Sequence, residues 1–185
     1  MGHKAPILLS FYGLSNRNTT LVFGQLTYTR LTDFSFKDYS RRRTFRTLFL
    51  LYQTKPYTNQ EIVLVFDTVK LQVKTDVYGA FYVITDFSLS SAILQKVIMV
   101  SGEEVKIIQG LYPRHIQEVT ADVIVVSDMD DTLLHSFIFR KLMKFKTLMF
   151  TTVEKRKAVV AMQDLLLRFT SKGAASFYLS NSEQN

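Results

Sequence analysis

The sequence predicts an α+β protein: a β-rich, sandwich-like domain carrying one helix, then part of an α/β domain built on a parallel sheet. Three observations predict it. Residues 20–108 contain several short strand-like segments separated by turn residues, and one stretch with helical spacing. The character changes near Leu111–Val119, where Tyr112-Pro113-Arg114-His115 reads as a linker. Beyond it come an apolar run, a helical stretch and a second apolar run, the order of a βαβ unit, expected to be parallel and right-handed. The expected division is therefore a β-rich domain over 1–110, a linker over 111–120 and the α/β part over 121–185.

Taken in order, Thr20–Thr29 (TLVFGQLTYT) reads as a strand, with Gly24 as the site of a bulge. Arg41–Thr54 reads as a helix, because Phe45, Leu48, Phe49 and Tyr52 recur at helical spacing and Pro56 would end it. Glu61–Phe66 and Val69–Lys74 read as strands, Thr75–Gly79 (TDVYG) as a turn, and Ala80–Thr85 as the returning strand. Val97–Val100 and Val105–Ile108 flank Ser-Gly-Glu-Glu as a second hairpin. Short strands joined by turns suggest a small sandwich with one inserted helix. Ala121–Ser127 is expected to be a buried strand. Val153–Phe169 is expected to be a helix with one apolar stripe (Val159, Val160, Met162, Leu165, Leu166, Phe169), and Gly173 stands where a C-cap glycine belongs. Ala174–Leu179 is expected to be a second buried strand that delivers Ser180-Asn181-Ser182.

Composition narrows the functional classes. A hydrophobic fraction of 47% supports a packed core, and no apolar run approaches the ~20 residues that span a bilayer. The N-terminal apolar stretch is too short for a secretory signal, and Pro6 stands where a myristoylation motif wants Ser or Thr. The absence of cysteine excludes disulfides and thiolate metal sites. The expectation is a soluble, cytoplasmic protein. The net charge of +7 is clustered at Lys37/Arg41/Arg42/Arg43/Arg46, at Arg140/Lys141/Lys144/Lys146 and at Lys155/Arg156/Lys157. Each cluster reads either as a solvated helix face or as a site attractive to phosphates, including an anionic membrane surface. No zinc-finger spacing or aromatic RNA-binding signature accompanies them, so no nucleic-acid partner is expected.

The chemistry concentrates in Ala121–Ser136, ADVIVVSDMDDTLLHS. The apolar run Val123–Val126 leads directly to Asp128, Asp130 and Thr132, two carboxylates and a hydroxyl at the C-terminal end of a strand. Ligands of open α/β sheets bind at such ends. A carboxylate there can be a covalent nucleophile, and a second one two residues on can serve as acid and base. In a parallel unit Ser180, at the tip of the second strand, lies at the same sheet edge and can hold a phosphoryl group. Two close carboxylates also invite a hard cation, Mg²⁺. His135 reads as structural, His115 and His3 show no ligand spacing, and Tyr78 and Phe81 read as hairpin packing.

The motif DMDDT (Asp128–Thr132) is similar to the Asp-x-Asp-x-Thr signature of haloacid-dehalogenase-type (HAD-like) phosphatases, and FYLSNS (Phe177–Ser182) resembles their second motif. The closer resemblance is to the actin-patch-associated phosphatidate phosphatase family and its uncharacterised bacterial relatives. Those proteins share an SDIDDT-like and an FYYVSNS-like motif, and a β-rich upstream domain whose TD-x-x-G-x-F segment is matched by TDVYGAF (Thr75–Phe81). The resemblance implies a partial HAD-like, Rossmann-type domain and a Mg²⁺-dependent phosphatase acting on a phosphomonoester such as a phospholipid. It implies Asp128 as the nucleophile forming an aspartyl-phosphate and Asp130 as general acid and base. The Asp128 carboxylate and the Asp130 backbone carbonyl would hold the metal. Thr132 would shape the phosphate-binding loop and Ser180 would bind the phosphoryl group. The superfamily also uses a downstream Lys and acidic residues, which Glu183, Gln184 and Asn185 do not supply. The expectation is a C-terminally truncated phosphatase, inactive by itself. The alternative is an inactive fragment whose β-rich domain is a binding module. The oligomeric state is not indicated.

Overall fold

A computed structural model of the chain describes residues 5–28, 49–50, 53–108, 113–128 and 159–179. Strand accounts for 51% of these and helix for 12%. The chain divides into two compact units, and the second begins its main segment at Ala121.

The first unit contains β1 (Ile7–Ser15), β2 (Thr20–Tyr28), β3 (Lys55–Pro56), β4 (Glu61–Phe66), β5 (Lys70–Lys74), β6 (Ala80–Thr85), β7 (Leu94–Met99), β8 (Glu104–Ile107) and β9 (Gln117–Glu118). They form one curled, mixed sheet in the order β3-β2-β1-β8-β7-β4-β5, with β6 also along β2 and β9 along β1. The pairs are antiparallel except β1 with β8 and β1 with β9. Alternate side chains turn inward, as the period of a strand requires. Ile62, Leu64 and Phe66 of β4, Leu71 and Val73 of β5, and Val22 and Leu26 of β2 are buried there with Phe11, Phe81, Leu94, Val97, Val105 and Ile116. Each such side chain contributes about 1.5–3 kcal/mol of transfer free energy.

Several local expectations correspond closely to observed elements. β2, β4, β6 and the β7–β8 hairpin lie where alternation placed them. The 75–79 segment is a turn: the Asp76 carboxylate accepts hydrogen bonds from the Tyr78 N–H (2.7 Å) and the Ala80 N–H (2.9 Å). Phe81 is core packing, as expected, whereas Tyr78 is exposed. Of the expected helix Arg41–Thr54, Phe49 and Leu50 are described as helical, and most of the remainder lies outside the described residues.

The pairing differs from expectation in two places. β6 does not return along β5; it pairs in register with β2, from Thr20↔Thr85 to Gln25↔Ala80. Gly24 is not a bulge either. It pairs with Phe11 and Phe81, and the irregularity lies in β1, where Leu9 is the extra residue between Leu8 and Ser10. Gly24 is needed for close approach instead: a Cβ there would lie 2.5 Å from Phe81 Cζ and 2.7 Å from the Ser10 carbonyl oxygen. His115 to Val119 are tied to this unit. Ile93 and His115 form a bridge, Ile116 is buried, and the Val119 N–H donates to the Ser15 carbonyl at 2.7 Å.

The second unit contains β10 (Ile124–Asp128), α1 (Val160–Ser171) and β11 (Ala175–Leu179). β10 and β11 form a two-stranded parallel sheet. Helix α1 ends in a Schellman motif: Gly173 has φ +88°, its N–H donates to the Thr170 carbonyl (2.9 Å), and the Ala174 N–H donates to that of Phe169 (3.1 Å). No described helix is long and apolar enough to cross a membrane.

The expected fold class is corrected by this architecture. The molecule is mostly β, with a large curled mixed sheet, and is not an α+β sandwich followed by a Rossmann-type, HAD-like α/β domain. The first unit is one sheet rather than two facing sheets, because the parallel contact of Ile7 and Leu8 with Lys106 and Ile107 joins the strand sets. A doubly wound domain covers both faces of its parallel strands with helices. Here Ile124 and Val126 of β10 stay more than half exposed, and Leu166 is the only buried residue of α1. The apolar composition of these segments specifies strand and helix, but burial needs covering layers, which composition does not supply.

Candidate active site

Asp128 is the last residue of β10, and the apolar run Ile124–Val126 is what makes the preceding residues extended. Alternation along β10 puts Val125 and Ser127 on one face, and Ile124, Val126 and Asp128 on the other. Ser127 is buried, and its hydroxyl donates to the Asp128 carbonyl at 3.1 Å. Asp128 itself is exposed. The backbone carrying Asp128 is held by the ladder with β11 and by Ser127.

The register with β11 runs from Ile124↔Ala175 to Asp128↔Leu179. Because the strands are parallel, both C-terminal ends lie at one edge, and Asp128 stands abreast of Leu179. That is the juxtaposition the sequence predicted for the two motif-bearing strands. Asp130, Thr132 and Ser180 lie outside the described residues, as do His3, His135 and the three basic clusters. Among the described residues no three His, Asp, Glu or Cys side chains gather into a metal-binding group. Of the nominated ligands, the described one is Asp128, whose exposed carboxylate offers the hard oxygen donors that Mg²⁺ prefers.

Ser127 is the residue that sequence reasoning passed over. Its signal was its position: a small hydroxyl on the inward face, one residue before Asp128, can lock the local backbone.

No curated protein matches the chain. Among solved structures, a carbohydrate acetylesterase from Xanthomonas citri aligns at 15% identity and a TM-score of 0.30 over 71% of this chain, which spans 22% of that protein. Residues 123–185, the stretch that carries Asp128 and both parallel strands, match the family model for the catalytic domain of phosphatidate phosphatase APP1.

Proposed function

We propose that the 123–185 stretch carries a phosphomonoester-hydrolysing site that acts on a phospholipid of the phosphatidate type. The observation that carries this reading is the coincidence of the family match with the parallel β10–β11 pair, in which Asp128 stands abreast of Leu179, within the second motif. An Asp128 carboxylate oxygen attacks phosphorus in line with the ester oxygen. The phosphorus–ester bond breaks, and Asp130 gives its proton to the departing alkoxide. Asp130, now a carboxylate, takes a proton from water, and the resulting hydroxide bonds to phosphorus as the bond to the Asp128 carboxylate breaks, which frees Asp128 and releases inorganic phosphate. Thr132 and Ser180 are assigned to the loop and to the phosphoryl oxygens. Asp128 and the Asp130 carbonyl would hold Mg²⁺, which supplies positive charge against the phosphoryl oxygens.

The test, on a version of the protein that includes the downstream Lys and acidic residues, is phosphate release from short-chain phosphatidate in detergent micelles with Mg²⁺, together with trapping of the acid-stable, hydroxylamine-labile phosphoenzyme. Asp128→Asn should abolish both, and Asp130→Asn should slow turnover by ~10²–10⁴-fold, the usual contribution of a general acid. Release that persists in Asp128→Asn overturns the nucleophile. Hydrolysis of phosphatidate no faster than of a soluble aryl phosphate overturns the lipid assignment.

A further inference from the structure

We infer that the outer face of β1–β2–β6 is the surface through which two copies of this chain associate about a two-fold axis. The registers put six apolar side chains in two rows of three. Tyr12 is abreast of Phe23 and Phe23 of Tyr82; Leu14 is abreast of Leu21 and Leu21 of Ile84. All six lie on the face opposite Phe11, Val22 and Phe81 of the core, and none is charged. Tyr82 is 74% exposed, Ile84 67%, Tyr12 45% and Leu21 40%. Tyr78 borders the rows, since the Gln25 side chain on this face donates to its carbonyl at 3.0 Å, and it is 63% exposed.

Area and chemistry select the occupant. With a full side chain presenting about 200 Å², these five residues display about 580 Å² in one copy. A pair of copies would cover about 1,160 Å², which passes the ~1,000 Å² of a specific contact. The patch is rich in tyrosine and free of charge, the composition of an interface centre. The neighbouring sector of the same sheet is different: its outward residues include Lys70, Gln72 and Lys74 of β5, Lys96 of β7, and Glu104 and Lys106 of β8, all exposed. Lysines on the β5 edge also protect it against pairing, whereas Ala80–Thr85 of β6 contains no charged residue. An uncharged face is complementary to itself, and a two-fold axis places the same patch on both partners. A second copy meets every requirement without a further component.

Sedimentation velocity on this chain over about 1–100 μM should show a monomer–dimer equilibrium. Tyr82→Lys/Ile84→Lys should raise the dimer dissociation constant by about a hundredfold or more, and Lys96→Ala should leave it unchanged. Hydroxyl-radical footprinting of the unmodified chain supplies a readout independent of the variants' folding: Tyr82 and Ile84 should become protected as concentration rises. A monomer throughout the range, a dimer in which these residues remain reactive, or an undiminished dimer in the folded double variant would each overturn the inference.

Discussion

At Gly24 the absence of a side chain is what allows the Phe81 ring to cross β2. Gly24→Ala forces a methyl group against that ring and against the Ser10 carbonyl, both held in a packed sheet. The expected loss is about 1–3 kcal/mol, the range for overpacking a core, read from urea denaturation. Tyr57 shows a second residue-scale effect. Burial first, then Tyr28 and Glu103, raise its phenol above the ordinary 10.0, while its hydroxyl donates to Met99 Sδ at 3.0 Å. Burial raises Tyr12 in the same direction. A raised value means that the folded chain holds the proton more tightly than the unfolded one. The associated stability is therefore complete below the unfolded value and is lost as pH rises through the folded one. Urea midpoints should be level with respect to these groups up to about pH 10 and fall above it. The Tyr12→Phe/Tyr57→Phe variant should fall less steeply. At this scale Asp128 was legible, because an acid directly after an apolar strand is a local pattern. The role of Gly24 was not, since it depends on Phe81, which is remote in sequence.

At the scale of elements, the turn after β5 is set by Asp76, whose carboxylate takes two backbone N–H groups. Asp76→Ala should cost about 1 kcal/mol, comparable to losing a capping side chain, and Asp76→Asn less, because its amide oxygen still accepts. Thermal denaturation of both variants checks the order. The turn was legible from Thr75–Gly79, as were β4, β6 and the Gly173 cap, since each follows from alternation or from a backbone conformation that one residue type prefers. The partner of β6 was not legible. A turn states that the chain reverses, but a pairing is chosen by the whole sheet, and here Gly24 and its neighbours on β2 receive β6.

For the whole molecule, the two units differ in how much they bury. The first surrounds a core that includes Leu8, Val22, Leu26, Ile62, Leu64, Leu94 and Val97, whereas the described strands of the second keep apolar side chains in water. Amides that open only with a core exchange at the cost of global unfolding, and amides in thinly covered elements exchange at less. Hydrogen exchange should therefore be slowest in β2, β4 and β7, and faster by about two orders of magnitude or more in β10 and β11; equal protection in the two units would contradict this. By itself the sequence determined where β2, β4, β5 and β6 lie, that the chain turns at 75–79, and which carboxylate ends the β10 segment, because all of these depend on neighbours along the chain, whereas β1, β3 and β9 were not among the strands it predicted. Tertiary structure decided that the strands of the first unit form one curled mixed sheet, that β6 joins β2, and that the strand carrying Asp128 stays exposed to water. Those outcomes depend on which surfaces meet across long sequence separations, and the free energy of burial belongs to the pair of surfaces rather than to either segment.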